Sequence, residues 1–470
     1  MKNHPSEGEQ VMERKRVLGF WDLLLFSFCA IFGFEAISTT AAIGPSAISW
    51  WLICIVGYFL PFGLIAAELG ATYPEQGGIY VWVKKALGNR WAARTTWCYW
   101  IGLPLWLPAI YIAFAEILGH MFFPGMGLRE QILVGIVMIW LTVWINTCSL
   151  GTSKWVTNIG SIAKLFVLAG MIAAAIVCIL RNGGLANEIT FTNVLPNLRA
   201  AVIFIPMIIY NLDGCELLSS AAGETKDPVR DIPKVVLLSA SVIATLYLVA
   251  TFTVWAVIPI SQINVASGIL QIFRVAFGDQ GAGRVLTLAF GVSILITFFT
   301  VIIAWTLGQN RTVAEAARNG VLPEALGRLG KKNMAPVGAA ILSGVISTVV
   351  IILYGFIAKN AAELFWHVLS CCLIVGLFSY LLLYPSFIIL RLKEKSVARP
   401  YRIPGPDGFA IFLAVMAELF VLATILILLI QPGHDFRTSA LPIIVGVLIT
   451  AAVGEILVAR SAKKLRGVSK

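Results

Sequence analysis

The chain reads as an all-α membrane protein of twelve transmembrane helices, and three observations carry that reading. Of 470 residues, 59% are hydrophobic and 13% charged, about half the charge of a typical soluble domain. At ~20 residues per helix, twelve spans need ~240 apolar-rich residues, and the composition supplies about 277. The charges themselves collect in short runs between apolar stretches, which is the punctuation of a polytopic membrane protein.

Apolar runs bounded by charged or Pro/Gly-rich segments place the first six spans at 17–43, 48–70, 91–118, 131–149, 154–180 and 198–221. The second six fall at 234–258, 284–312, 337–357, 362–390, 409–430 and 440–459. Residues 1–16 form an N-terminal tail and 460–470 a C-terminal one. The first apolar stretch is too long for a signal peptide and lacks a small-residue cleavage site, so it reads as a retained span. With both termini cytoplasmic, 27 of the 35 Lys and Arg fall in inside segments, seven outside, and Lys164 within a span. That asymmetry sets the orientation under the positive-inside rule.

Two spans are interrupted. The first carries Gly33, Phe34 and Glu35 in mid-segment and then Gly44-Pro45. The sixth carries Pro206 and then Tyr210, Asn211, Leu212, Asp213, Gly214, Cys215 and Glu216. Interrupted apolar segments in corresponding places of two halves point to a carrier's central binding site. The free N–H and C=O groups of such a break are tolerated only where protein or a water-filled cavity satisfies them. The plainer alternative is a Gly or Pro kink without a ligand.

An ionisable group in mid-span costs on the order of 3 kcal/mol on insertion scales, so each needs an account. Glu35 lies in the first break, Asp213 and Glu216 in the second, Glu116 in the third span, Lys164 in the fifth and Glu418 in the eleventh. Lys164 has two compatible readings, a tie to a backbone carbonyl or acid and a proton carrier. Glu116 and Glu418 read as helix-packing groups. Asp22 and Glu68, near the membrane edge, read as solvated.

Other classes are disfavoured. The basic residues form no nucleic-acid-binding face, and the four histidines and eight cysteines show no metal-ligand or disulfide spacing. The cysteines read as small buried hydrophobes. No phosphate loop suggests an ATP-driven pump, and no residue grouping suggests a hydrolase. Neither a cofactor nor a metal is expected. A channel, a sensor or an intramembrane enzyme built on the three break acids are the remote alternatives.

Four loops carry a resemblance to a known family. Residues 67–82, with Glu68, Pro74, Glu75, Gly77 and Gly78, follow span two. Residues 222–233, with Glu224, Lys226, Asp227 and Pro228, follow span six. Residues 311–323, ending Asn319, Gly320, Val321, Leu322, Pro323, follow span eight, and 399–405, with Pro400, Tyr401, Arg402 and Pro404, follow span ten. Each is weak alone, but together and in order they make the chain resemble the amino acid–polyamine–organocation superfamily of permeases over nearly its whole length. The resemblance implies a LeuT-like five-plus-five inverted repeat, spans one to five in 17–180 and six to ten in 198–390, followed by spans eleven and twelve in 409–459. It also implies a substrate between the two broken helices. By similarity to arginine/agmatine exchangers, Tyr210 falls where an aromatic gate stands, Trp305 on the aromatic that stacks over substrate, and Glu216 on an acid linked to proton sensing. Lys164 looks like the lysine that replaces a bound sodium ion in sodium-independent members.

One departure sharpens the expectation. In amino acid carriers of this family the first break is a Gly-small-Gly turn whose N–H groups hold the substrate carboxylate. Here Glu35 stands at the second glycine, where an ionised carboxylate would cap those N–H groups and repel another. With Asp213 opposite, the site suits positive charge. The expected function is therefore secondary active transport across the cell (inner) membrane of a cationic amine, or of an amino acid held by its amine. Protons or a counter-substrate would drive it. Substrate contacts fall to Gly33, Phe34, Glu35, Tyr210, Asn211, Asp213, Gly214 and Trp305, and proton coupling to Lys164 and Glu216. The competing account is an ordinary neutral or acidic amino acid permease or antiporter, of the glutamate/GABA type.

Overall fold

The computed structural model describes residues 16–34, 37–148, 150–263, 268–331, 333–358, 361–430 and 440–468. Among them the regular elements are helices, which satisfy backbone polar groups within one segment as a bilayer core demands. In chain order they are α1 (Phe20–Ile31), α2 (Ile37–Ala41), α3 (Ala47–Cys54), α4 (Leu60–Thr72), α5 (Ile79–Leu87), α6 (Asn89–Phe122), α7 (Leu128–Asn146), α8 (Leu150–Asn182) and α9 (Phe191–Val194). The second part holds α10 (Leu198–Asn211), α11 (Leu217–Ser220), α12 (Pro228–Val257), α13 (Gly268–Phe277), α14 (Gly281–Arg318), α15 (Val337–Ile357), α16 (Ala361–Lys393), α17 (Asp407–Ile430) and α18 (Leu441–Val468). A π-helical turn at Ile55–Phe59 joins α3 to α4 without a break.

Among the described residues nine helical stretches are long and apolar enough to cross a membrane, with Phe20–Ile31, Gly268–Phe277 and Val337–Leu353 as shorter apolar helices. Of the twelve expected spans, the first and the sixth fall outside that count because each divides into short pieces, and the ninth corresponds to the shorter apolar helix Val337–Leu353. α1 stops at Ile31 and α2 starts at Ile37, while α10 stops at Asn211 and α11 starts at Leu217. Burial separates the inner helices from the outer ones. The most apolar window of Asn89–Phe122 is 83% buried against its neighbours, whereas those of Leu128–Asn146 and Leu441–Lys464 are 28% and 22% buried. α6 lies along α16, α8 along α14, and α4 along α12, while of the interrupted segments α1 packs against α8, α12 and α14, and α10 against α3 and α17.

Continuity is maintained even where the sequence works against it. α6 contains Pro104 and Pro108, and Pro108 has no N–H to offer the carbonyl four residues back. That Pro104 carbonyl instead accepts from Ser347 Oγ on α15 at 2.9 Å. A neighbouring helix thus re-satisfies the freed backbone group, as it must at membrane depth.

Glu68, read from sequence as solvated, is 0% exposed. Its carboxylate pairs with the buried Arg391, accepts from Arg399 at 3.2 Å, and accepts from the Ile403 amide at 2.8 Å. Arg391 also reaches Asp407 at 2.7 Å. The network ties the end of α4 to the end of α16 and the start of α17, and it is invisible in sequence because its partners lie more than 300 positions apart. Two further pairs on the same side join α1 to α8 (Asp22–Lys154, 3.3 Å) and Glu224 to Arg311 of α14 (2.9 Å). Removing one member of a buried pair leaves the other charge uncompensated and costs ~3–5 kcal/mol. Glu68→Gln is therefore expected to lower the thermal unfolding midpoint of the purified protein by several degrees. An unchanged midpoint would mean that Arg391 is held by Asp407 alone.

Candidate functional site

The break after α1 leaves the last carbonyls of that helix without intrahelical donors. Three other helices supply side chains to them. The Lys164 ammonium of α8, 1% exposed, donates to the Cys29 carbonyl at 2.5 Å and to that of Phe32. Trp305 Nε1 of α14 donates to the Ala30 carbonyl at 2.9 Å. The Tyr247 hydroxyl of α12 reaches the Ile31 carbonyl at 2.7 Å, with Asn211 Oδ1 as a second acceptor 3.1 Å away. Four consecutive carbonyls are thus held from outside, and the cation sits at the negative end of the helix dipole.

Tyr247 also closes the other side of the break, since its hydroxyl accepts from the Gly33 amide at 2.8 Å. The ring is clamped by Trp51, stacked at 4.6 Å, and by Phe32 at 4.9 Å. The Gly33 N–H expected from the resemblance to face a substrate carboxylate is therefore engaged by the protein. Phe34 is buried and packs edge-on against Phe32 at 5.3 Å. Glu35 lies outside the described residues.

The second break turns at Gly214, whose φ of +115° is a conformation that side-chain-bearing residues rarely adopt. A Cβ there would also sit 3.1 Å from Ile31 Cγ1 and 3.2 Å from Trp305 Cζ2, so glycine lets the two breaks and α14 meet. Asn211 is directed backward, its amide donating to the Met207 carbonyl at 2.6 Å.

Next to this turn lies a cavity with about 70 Å³ of room for water-sized molecules. Tyr210, Asp213, Trp305, Trp106, Gln309, Tyr99 and Tyr380 line it, together with small and apolar groups of α6 and α16. Among the described residues its wall contains one acid and no basic side chain. Trp106 Nε1 donates to the Tyr210 hydroxyl at 2.7 Å, and the Trp106 and Trp305 rings meet edge to face at 6.0 Å. Asp213, 7% exposed, accepts from the Tyr58 hydroxyl at 2.5 Å. Glu216 stands behind the wall: its Oε1 accepts from Tyr99 at 2.8 Å and Tyr380 at 2.9 Å, while its buried Oε2 has no partner. Aromatic faces beside a carboxylate in a desolvated cavity attract an organic cation by charge and by the ring quadrupoles, the latter worth ~2 kcal/mol when desolvated.

Of the residues singled out from sequence, the structure brings Tyr210, Asp213 and Trp305 to the cavity wall, with Gly214 as the hinge of the turn and Glu216 immediately behind. Lys164, Gly33 and Asn211 belong to the backbone scaffold of the breaks, and Phe34 to the packing. Sequence reasoning missed Tyr58, Tyr99, Trp106, Tyr247, Gln309 and Tyr380. Among 14 Trp and 11 Tyr, no local pattern distinguishes a tyrosine that holds a carboxylate from one that fills a helix interface.

Interrupted helices meeting beside a cavity point to the class that the family match shows: this is a multi-pass secondary transporter and not an enzyme. More narrowly, the chain belongs to the amino acid permease family, whose model matches residues 18–453. It is 29% identical over 449 residues to a probable agmatine/putrescine antiporter, AguD, of Lactococcus lactis, covering 95% of each chain. It is 24% identical over 420 residues to a glutamate/gamma-aminobutyrate antiporter of the same organism, covering 84% of this chain and 80% of the relative. The fold is shared with MhsT, solved with L-phenylalanine, at a TM-score of 0.65 and 14% identity over 88% of this chain and all of the other. The LeuT-like architecture expected from sequence is thus the architecture found.

Proposed function

We propose that the protein exchanges a cationic amine for a related amine or amino acid across the cell membrane, with both termini cytoplasmic. The observation that carries this reading is the cavity wall, which among the described residues offers one carboxylate, Asp213, and five aromatic side chains, Tyr99, Trp106, Tyr210, Trp305 and Tyr380, but no cation. The engagement of the Gly33 amide by Tyr247 supports it, since a carboxylate-bearing substrate would have to displace that hydroxyl. The name of the Lactococcus relative, an agmatine/putrescine antiporter, points the same way.

Transport would proceed by alternating access, with α1–α4 and α10–α12 rocking against the remaining long helices around the cavity. Asp213 binds the ammonium, while Tyr210 and Trp305 close over it. Glu216, held by Tyr99 and Tyr380 behind the wall, takes up or releases a proton, and Lys164 transmits the state of the first break to α8. Such changes of charge bias a two-state equilibrium by their differential interaction with the two states.

The test uses purified protein in liposomes loaded with unlabelled amines and amino acids. Uptake of labelled putrescine, agmatine, tyramine, arginine and glutamate is followed with and without a pH gradient. Saturable, counter-substrate-dependent uptake of an amine is expected. Uptake confined to glutamate and arginine would overturn the amine reading in favour of an ordinary amino acid antiporter, and non-saturating flux would make the protein a channel.

A further inference from the structure

A second opening lies where the start of α6 meets the end of α18. Trp97 locks the two helices together: its Nε1 donates to the Thr450 carbonyl at 3.0 Å, and a Cβ at Gly454 would stand 2.4 Å from its Cδ1. Just beyond that contact is a cleft with about 300 Å³ of room for water-sized molecules. Arg90 and Arg94 of α6 wall it on one side, and Glu455, Ala459, Ala462 and Lys463 of α18 on the other. Arg90 and Arg94 are four residues apart, as are Glu455, Ala459 and Lys463, so each set shares one helix face.

The cleft holds three cations and one acid, and the acid is engaged. Arg94 donates to both Glu455 oxygens, from Nε at 2.6 Å and from Nη2 at 2.9 Å. Among the described residues no carboxylate pairs with Arg90 or Lys463, whereas the next residue, Lys464, is held by Glu324. The fold thus sets two uncompensated positive charges on facing helices with room between them, which draws an anion. The positive pole of the α6 dipole adds to them, because Gly88 precedes the helix and gives it no side-chain cap.

The surroundings place that anion in the membrane. On the membrane side of the cleft α18 exposes Leu448, Ile449, Val453 and Ile456, an apolar face suited to acyl chains. Trp91, 45% exposed, stands beside it with the Arg94 guanidinium 4.8 Å from its ring, an aromatic and basic pairing typical of headgroup level. Ala459 and Ala462 are small enough to admit a phosphate group. A zwitterionic headgroup is a poor match, since its own cation would face Arg90 and Lys463 with Glu455 already taken.

We propose that this cleft binds the phosphate of an anionic phospholipid, in the leaflet that the basic end of the molecule faces. The site is separate from the transport cavity and independent of the amine reading. α6 continues from the cleft to Tyr99 and Trp106 on the cavity wall, so the lipid anchors a helix of the transport site to α18.

Scintillation-proximity titration of the full-length protein in detergent micelles with tritiated phosphatidylglycerol reads this directly. Unlabelled phosphatidylglycerol is expected to compete at least tenfold more strongly than phosphatidylcholine, and inorganic phosphate not to compete. Loss of two basic contacts to an anionic lipid weakens binding on the order of tenfold, so the double variant Arg90→Gln/Lys463→Gln should show that loss. Ala462→Trp, which fills the cleft and leaves its charge intact, should weaken binding likewise. Lys393→Gln/Lys395→Gln, which removes two exposed charges at the end of α16, should bind as the wild type does. Equal competition by phosphatidylcholine would overturn the proposal in favour of apolar contact alone, and displacement by inorganic phosphate in favour of a soluble anion. Wild-type binding in Arg90→Gln/Lys463→Gln or in Ala462→Trp, or an equal loss in Lys393→Gln/Lys395→Gln, would overturn it as well, the last by assigning the effect to diffuse surface charge.

Discussion

Asp213→Asn is expected to reduce amine uptake by 100-fold or more while leaving the protein folded. Among the described residues, the carboxylate is the only charge on the cavity wall. Truncating one member of a buried, hydrogen-bonded charge pair costs ~2–5 kcal/mol, and every 1.4 kcal/mol is about tenfold in binding. Asparagine keeps the volume and an oxygen able to accept from Tyr58, whose hydroxyl now lies 2.5 Å from Oδ1, so the turn at Gly214 retains its geometry. The loss should therefore appear in KM for amines, measured as initial uptake into liposomes across a concentration series, with an unaltered elution volume on size exclusion. Wild-type KM in Asp213→Asn would show that the acid is part of the Tyr58 scaffold and that the substrate is recognised elsewhere.

Lys164→Met carries the second large effect, and it differs in kind. Its ammonium serves the Cys29 and Phe32 carbonyls at the end of α1. Methionine nearly matches the volume and removes every donor. Each buried group left unsatisfied costs ~1–3 kcal/mol, and the end of the helix dipole loses its compensating charge. Transport is expected to fall at least 100-fold with every substrate alike, and the unfolding midpoint is expected to drop. Selective loss of one substrate class with full stability would instead assign Lys164 to the binding site. The contrast separates the two mechanisms: Asp213 changes what is bound, Lys164 changes whether the first break holds its shape.

The same contrast runs through what could be read in advance. The interruption of two apolar segments, the acids within them and the lone intramembrane lysine are legible because the bilayer makes each of them costly, so they stand out against an apolar background. Tyr210, Asp213 and Trp305 line the cavity. The partners of those groups are not legible. Tyr58 meets Asp213 across 155 positions and Tyr380 meets Glu216 across 164, and nothing local to either tyrosine marks it out. Glu68 misled the sequence reading for the same reason: an acid at a membrane edge looks solvated until Arg391 and Arg399, supplied by another helix end, are packed onto it.

The sequence by itself determined that this chain is a multi-pass helical membrane protein, where its helices are interrupted, and which family of permeases it resembles. Those properties follow from local composition, since hydropathy, charge runs and loop motifs act over tens of residues. Only the tertiary structure decided who satisfies the broken backbone: Lys164, Trp305 and Tyr247 take the last three carbonyls of α1 and that of Phe32 just beyond it, and Tyr247 takes the Gly33 amide that a substrate carboxylate would have used. Satisfaction of a buried polar group is a property of the whole assembly, because the donor comes from wherever packing brings one within ~3 Å.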